Sequence, residues 1–189
     1  MNFSKSVGVY KTEGIILRAI PLGEMDLLLT VYTRGYGKIS ARAISARKKE
    51  SKLKGFLQPF TYSEFYLAKS KTIDIIIEIQ PLDSFSKLHQ SLGSLAYAFY
   101  FAELSDKLIY GPERDEKVWR LLKRVFEVLD QKCSDLSRIK ELFENKLLEF
   151  LGHPLPKERG KSTELQKLNY LQALTGERIN SIRFLNYSK

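Results

Sequence analysis

Cysteine is almost absent from this sequence, since Cys133 is the only one in 189 residues. A single thiol can form neither an internal disulfide nor a four-thiolate zinc site, which excludes a secreted disulfide framework and a zinc ribbon. Long apolar runs are also missing. Stretches such as 95–102 are far shorter than the roughly 18 residues that span a bilayer, and the N-terminus has no apolar signal region. We therefore expect a cytoplasmic protein that holds no metal and crosses no membrane.

Catalytic motifs are equally scarce. The two histidines are far apart in sequence, and Cys133 has no neighbouring base. The Gly-Lys-Ser triplet at 160–162 matches the end of a phosphate-binding loop, but Leu155 stands where that loop requires glycine. No Gly-x-Gly-x-x-Gly run supports a dinucleotide site. We expect a protein that is not an enzyme and uses no cofactor; a metal-dependent nuclease using Glu24 and Asp26 is the one enzymatic alternative.

The first part of the chain has the alternation of short β-strands. With 43% hydrophobic and 28% charged residues, the composition is that of a globular protein of one large or two small domains. In 72–80, Ile73, Ile75, Ile77 and Ile79 fall on one face, and Ile76 falls on the other with the polar residues. Turn residues separate five candidate strands, 13–20, 26–34, 36–46, 60–68 and 72–80. An α+β protein with a five-stranded OB-fold barrel at residues 1–80 fits this count.

From about residue 82 the apolar spacing changes to that of helices. One long, mostly buried helix is predicted up to Gly111-Pro112, and others over 116–131, 136–151 and 163–174. Gly176 is placed to cap the last of them. A short basic linker at 154–162 precedes that helix, and no internal repeat is visible. We expect a helical domain over residues 81–189.

The positive charge is concentrated in one segment. The chain has a net charge of +9, of which residues 1–80 carry +6, residues 81–152 carry −1 and residues 153–189 carry +4. The segment 34–54 contains eight basic residues and one acid, Glu50. The eight are Arg34, Lys38, Arg42, Arg47, Lys48, Lys49, Lys52 and Lys54.

This basic segment suggests a surface for nucleic acid. In an extended strand, Lys38, Ser40 and Arg42 share one face, and the following loop adds five cations that attract phosphates through charge and counterion release. Four nearby tyrosines are candidates for base stacking: Tyr32, Tyr36, Tyr62 and Tyr66. The alternatives are a merely solvated loop beside core tyrosines, or a module whose basic loop meets an acidic protein.

The helix at 116–131 suggests a second, protein-binding surface. Trp119, Leu122 and Phe126 form an apolar stripe that is bordered by three cations, Arg120, Lys123 and Arg124. Such a combination suits a peptide with apolar side chains and a carboxylate. The alternative is ordinary packing of the stripe against neighbouring helices.

Several short motifs follow one another along the chain. The N-terminal motifs are Thr-Glu-Gly-Ile-Ile-Leu at 12–17, Gly-Glu-x-Asp-x-Leu-Leu-Thr at 23–30, Tyr-Thr-Arg-x-x-Gly-Lys at 32–38, Ala-Arg-Lys-x-x-Ser-Lys-Leu at 46–53 and Leu-Gln-Pro-Phe at 57–60. The helical motifs lie at 95–104 and 143–152. In this order, the motifs resemble the RecO family of bacterial recombination proteins. The stretch 8–155 carries the resemblance, and 23–60 is its most specific part.

The resemblance implies an OB-fold domain followed by a helical domain. It also implies binding of single- and double-stranded DNA, annealing of complementary strands, and action with RecR to load RecA on strands coated by single-stranded DNA-binding protein, in the bacterial cytoplasm at the nucleoid. The family's basic surface falls on Arg34, Lys38, Arg47, Lys48 and Lys52. The helical domain is implied to contact the tail of the single-stranded DNA-binding protein, and Arg120 and Arg124 are our candidates for that contact.

The sequence departs from the family after Gly152. Many members have a four-cysteine zinc element there, whereas this chain continues into the 154–162 linker, so no zinc is expected. We expect a short form of the family, closed by the helical residues 164–187, rather than a fragment. An RNA-binding OB-fold protein with a helical protein-interaction domain is the alternative function.

Overall fold

The computed structural model describes residues 8–51, 53, 55–131, 135–155 and 163–187. The chain divides into two compact units. We call Met1–Ser84 with Gly111–Asp115 the barrel unit, and Phe85–Tyr110 with Glu116–Lys189 the helical unit. Cys133 and the linker residues 156–162 lie outside the described residues.

Five strands close into a barrel in the barrel unit. Their order around the barrel is β1-β2-β3-β5-β4, with β3 parallel to β5 and the other neighbours antiparallel. The predicted OB-fold barrel is confirmed. The strands are β1 (Val9–Leu22), β2 (Asp26–Thr33), β3 (Gly37–Ala43), β4 (Tyr62–Ala68) and β5 (Asp74–Asp83).

Alternate residues of the strands fill the interior of the barrel. Successive side chains of a strand point to opposite faces, so each strand contributes every second residue to the core. Ala41 and Ala43 contribute small side chains to this core, and both are fully buried. The core consists mainly of Ile16, Leu29, Val31, Ala41, Ala43, Phe65, Leu67, Ile76 and Ile79.

A β-bulge in β5 corrects the predicted orientation of its isoleucines. Ile76 is 4% exposed and Ile77 is 54% exposed, whereas the alternation predicts the reverse. The register explains the difference, because Leu67 pairs with Ile76 and Tyr66 pairs with Glu78, which leaves Ile77 as an extra residue. An extra residue shifts the alternation by one position, so the residues on either side of it change faces. Ile79 is buried, as predicted.

The helical unit packs its helices around an aromatic core. The rings of Phe101 and Phe143 have centroids 4.4 Å apart, and those of Phe85 and Phe126 are 6.2 Å apart. The helices are α1 (Ser86–Gln90), α2 (Leu92–Leu108), α3 (Glu116–Asp130), α4 (Leu136–Phe150), α5 (Glu164–Thr175) and α6 (Ile182–Tyr187). None of the helices in the described parts of the chain is both long and apolar enough to span a membrane.

Capping residues determine where several of these helices begin and end. The first predicted helix is divided into α1 and α2 at Ser91, whose backbone is extended. The Ser91 hydroxyl caps the start of α2 by accepting a hydrogen bond from the Ser94 amide. Thr163 and Gln166 form a capping box at the start of α5. Gly176 ends α5 in the left-handed conformation, as predicted.

Candidate nucleic-acid interface

The outer face of β3 carries part of the basic segment. Ser40 and Arg42 are exposed and Lys38 is half-buried, while Ala41 and Ala43 between them point into the barrel. The alternation predicted for this strand is therefore confirmed. In OB-fold barrels, the outer face of the second and third strands and the loops beside it commonly bind oligonucleotides.

Arg42 holds the beginning of the loop after β3. Its guanidinium contacts one carboxylate oxygen of Asp26, with N–O distances of 2.7 and 2.5 Å. The other oxygen of Asp26 accepts a 2.7 Å hydrogen bond from the backbone amide of Ser45. That amide, followed by Arg42, lowers the pKa of the Asp26 carboxyl below its ordinary range. The charge of Arg42 is thus partly offset by a carboxylate.

Arg47 joins the same loop to the β1–β2 turn. Its guanidinium donates to the carbonyl oxygens of Gly23 and Glu24 at 3.3 and 3.0 Å. Its backbone amide donates to the carbonyl oxygen of Met25 at 2.9 Å. Lys48 and Lys49 follow it and are exposed. We call Arg47, Lys48 and Lys49 the basic corner.

Arg34 lies at the opposite end of the barrel, in the β2–β3 turn. Its backbone amide donates a 2.9 Å hydrogen bond to the Glu13 carbonyl oxygen. Its guanidinium forms an ion pair with the Glu13 carboxylate at 3.6 Å. The seven residues of β3 separate this turn from the basic corner by about 20 Å. Lys52 and Lys54 lie outside the described residues.

Arg18 is a surface cation that the sequence reasoning missed. The register places Arg18 beside Thr30, and Thr30 beside Ser40, so Arg18 belongs to the same outer surface as Lys38 and Arg42. A bulge at Leu17 puts Arg18 on that surface. We call Arg18, Lys38 and Arg42 the basic strip. The strip and the basic corner together form a positively charged surface across β1, β3 and the adjoining loop.

The four candidate stacking tyrosines have different surroundings. Tyr32 is 1% exposed, and its hydroxyl donates to the Asp115 carbonyl oxygen at 3.4 Å; burial raises its pKa to about 12. Tyr62 donates to Glu13 at 2.5 Å and Tyr66 to Glu64 at 3.1 Å, and both are half-buried. Tyr36, in the β2–β3 turn, is 43% exposed.

A return of the chain covers part of the outer face of β2. The segment Gly111–Asp115 belongs to the barrel unit and contacts Tyr32 through Asp115 and Gly37 through Glu113. Half-buried Lys38 lies next to Gly37 and pairs with Tyr32, whereas the exposed Arg42 lies farther along β3, toward the basic corner.

The stripe predicted on α3 lies in the core of the helical unit. Trp119 is 3% exposed, and Leu122 and Phe126 are fully buried. The three bordering cations make ion pairs on the same helix: Arg120 with Glu116 at 2.9 Å, Lys123 with Glu127 at 3.0 Å and Arg124 with Glu127 at 3.6 Å. The ring of Trp119 is therefore buried, whereas Arg120 and Arg124 beside it on the helix are exposed.

Of the two carboxylates considered for a nuclease, that of Asp26 is engaged in other contacts. Both oxygens of Asp26 already accept hydrogen bonds, from Arg42 and Ser45, while Glu24 is exposed in the β1–β2 turn. Within the described ranges, no three His, Cys, Asp or Glu side chains are grouped so that they could hold a metal ion.

Comparison with known proteins gives consistent matches. The family model described as Recombination protein O N terminal matches residues 7–85, and the one described as Recombination protein O C terminal matches residues 89–160. The chain is 34% identical over 142 residues to a DNA repair protein RecO of Alkaliphilus metalliredigens, which covers 75% of this chain and 58% of the relative. It is 35% identical over 145 residues to that of Pelotomaculum thermopropionicum, with 77% and 56% covered. The chain spans somewhat more than half the length of these relatives.

Proposed function

Because the chain belongs to the RecO family of DNA repair proteins, we propose that it acts in DNA repair and homologous recombination by binding DNA through its barrel unit. The observation that carries this proposal is the positively charged surface formed by the basic strip and the basic corner. The proposed ligands are single- and double-stranded DNA.

The surface has the dimensions of a short DNA segment. Its length of about 20 Å along β3 corresponds to about six phosphates of one strand at 3.4 Å per nucleotide. Lys48 and Lys49 are exposed at one end of it, and Arg18 and Arg42 are exposed along it. Cations placed in this way release counterions from DNA, which makes binding strong at low salt and weak at high salt.

Strand annealing follows from the same electrostatics. Two complementary strands repel each other through their phosphates, and a cationic surface that holds both strands lowers this repulsion so that their bases can pair. No bond is made or broken in this step. We therefore propose a mediator of strand pairing rather than an enzyme.

The proposed protein partners are those of recombination mediators. We propose that the chain acts with RecR to load RecA on strands coated by single-stranded DNA-binding protein, and that the helical unit contacts the acidic tail of that protein. The exposed cations Arg120 and Arg124 on α3 support an acidic partner, since each is more than half exposed and the carboxylate with which it forms an ion pair lies on the same helix.

A charge reversal in the basic corner tests the DNA-binding surface. Lys48→Glu with Lys49→Glu is the informative variant, because Arg47 also holds the β1–β2 turn and its loss would disturb the loop. We expect duplex affinity to fall about tenfold or more at low salt, and the slope of log K against log salt to decrease by about 2. Lys87→Glu with Arg138→Glu, two exposed cations of the helical unit, makes the same change in net charge and should keep the slope. Equal slopes for both double variants would contradict this placement of the site.

Annealing assays test the partner proposal. The wild-type chain should accelerate annealing of complementary oligonucleotides, both bare and coated with single-stranded DNA-binding protein. Arg120→Glu with Arg124→Glu should lose acceleration on coated strands and keep it on bare ones, whereas equal loss on both would contradict a partner role for α3. Preferential binding of matched RNA over DNA would instead favour an RNA-binding function.

A further inference from the structure

Tyr36 lies in a turn whose backbone is fixed by hydrogen bonds. The Thr33 hydroxyl accepts from the Tyr36 amide at 3.0 Å and donates to the Gly37 carbonyl oxygen at 2.9 Å. The Gly35 amide donates to the Thr12 hydroxyl at 3.3 Å. These bonds join the turn to β1 and β2, so the Tyr36 ring extends from an ordered backbone.

The ring of Tyr36 is also supported from one side by Tyr10. The two ring centroids are 4.5 Å apart, with 58° between the ring planes. Tyr10 donates a short hydrogen bond to the Asp74 carboxylate, which also accepts from the Ser70 amide at 2.9 Å. Burial and Asp74 raise the pKa of Tyr10 well above its ordinary value, so Tyr10 stays a neutral donor. Tyr36 nevertheless keeps 43% of its surface exposed.

Cations flank this aromatic pair. Arg34 and Lys38 lie two residues before and after Tyr36, and Lys69 and Lys71 are exposed in the β4–β5 turn that carries Ser70. An exposed ring that is held in place beside cations is the arrangement with which proteins bind single-stranded nucleic acid: the ring stacks on a base and the cations attract the adjacent phosphates.

We propose that Tyr36 stacks on a base of single-stranded DNA and gives the barrel unit a preference for single over double strands. This inference rests on the proposed DNA binding and adds a base contact at the end of the barrel opposite the basic corner. A duplex offers no such contact, because the faces of its bases are already covered by their neighbours. The strand would run along β3, with phosphates at the basic corner and an unstacked base at Tyr36.

Substitution of Tyr36 in the full chain separates stacking from charge. We expect Tyr36→Ala to weaken binding of a (dT) oligonucleotide about tenfold and to change binding of a hairpin duplex less than about twofold. Tyr36→Phe, which keeps the ring, should bind both as the wild type does. Tyr110→Ala, which removes a 71%-exposed tyrosine from the helical unit, is the matched control and should change neither affinity.

A fluorescent variant gives a second readout that does not depend on an alanine replacement. The (dT) oligonucleotide should quench the fluorescence emission of Tyr36→Trp, and the duplex should leave it unchanged. The wild type, in which Trp119 is buried, gives the background emission. Equal losses for Tyr36→Ala and Tyr36→Phe, or quenching by both ligands, would overturn the stacking role. If the Lys48→Glu with Lys49→Glu variant still weakens DNA binding in that case, the proposed function stands and only the stacking role fails. If that double variant binds DNA as the wild type does, the proposed DNA-binding surface fails as well.

Discussion

The backbone of Glu113 packs directly on Gly37. A β-carbon at Gly37 would lie 2.2 Å from the Glu113 carbonyl oxygen, and Gly37 has a φ angle of +64°. Both facts require glycine, because a side chain would clash with the backbone and a left-handed conformation disfavours residues that have one. The position where Gly111–Asp115 meets the barrel therefore depends on a missing side chain at the start of β3.

Gly37→Ala should destabilise the barrel unit. We expect the free energy of unfolding to fall by about 2 kcal/mol or more, from backbone strain together with displacement of Glu113. Chemical denaturation followed by circular dichroism measures it. Gly55→Ala is the control, since nothing lies within 4 Å of a β-carbon there and its φ is not in the left-handed range. Similar losses for the two variants would contradict the contact.

The bulge in β5 predicts opposite effects for two neighbouring isoleucines. Ile76→Ala should cost about 2 to 5 kcal/mol because it leaves a cavity in the barrel core. Ile77→Ala should cost less than about 1 kcal/mol, because that side chain is already half in solvent. Thermal unfolding of the two variants compares them directly. A larger loss of stability for Ile77→Ala than for Ile76→Ala would contradict the bulge and support the simple alternation that the sequence suggests.

The Asp26–Arg42 pair predicts a pH dependence of stability. The pKa of Asp26 is lowered in the folded chain, so its ionised form contributes stability above its ordinary pKa of 3.8, and this contribution disappears as the pH falls through the lowered value. Asp26→Asn lacks the titrating group. We expect its melting temperature to fall less than that of the wild type between about pH 6 and about pH 3. Parallel curves for the wild type and Asp26→Asn would contradict the prediction.

Tyr100, Glu144 and Lys140 form a cluster that we expect to stabilise the helical unit. Tyr100 donates a short hydrogen bond to Glu144, which is 1% exposed and also contacts the Lys140 ammonium at 3.0 Å. Tyr100→Phe removes a donor to a buried carboxylate and should lower the free energy of unfolding by about 1.5 to 3 kcal/mol. The fluorescence of Trp119, buried in the same unit, reports the transition. Tyr170→Phe, whose hydroxyl makes a 3.4 Å exposed contact, should have a much smaller effect.

Local sequence patterns predicted the elements of this fold well. Alternation and turn residues predicted five strands before residue 84, and the strand formed by Gly37–Ala43 presents Lys38 and Arg42 outward as expected. The bulges at Leu17 and Ile77 were not predictable, because an extra residue in one strand is defined only by its partner strand. For that reason the sequence reasoning missed Arg18 and placed Ile77 inside.

The sequence by itself determined the barrel, the helices and the concentration of positive charge, since these follow from residue spacing and composition along the chain. Only the tertiary structure decided how each charged or aromatic side chain is used. Arg42 meets Asp26 and Arg34 meets Glu13 across strands, while Tyr32 is covered by Asp115 and Tyr36 stays exposed. The physical reason is that cross-strand register and long-range packing join residues far apart in sequence, and periodicity within one segment carries no information about its partner.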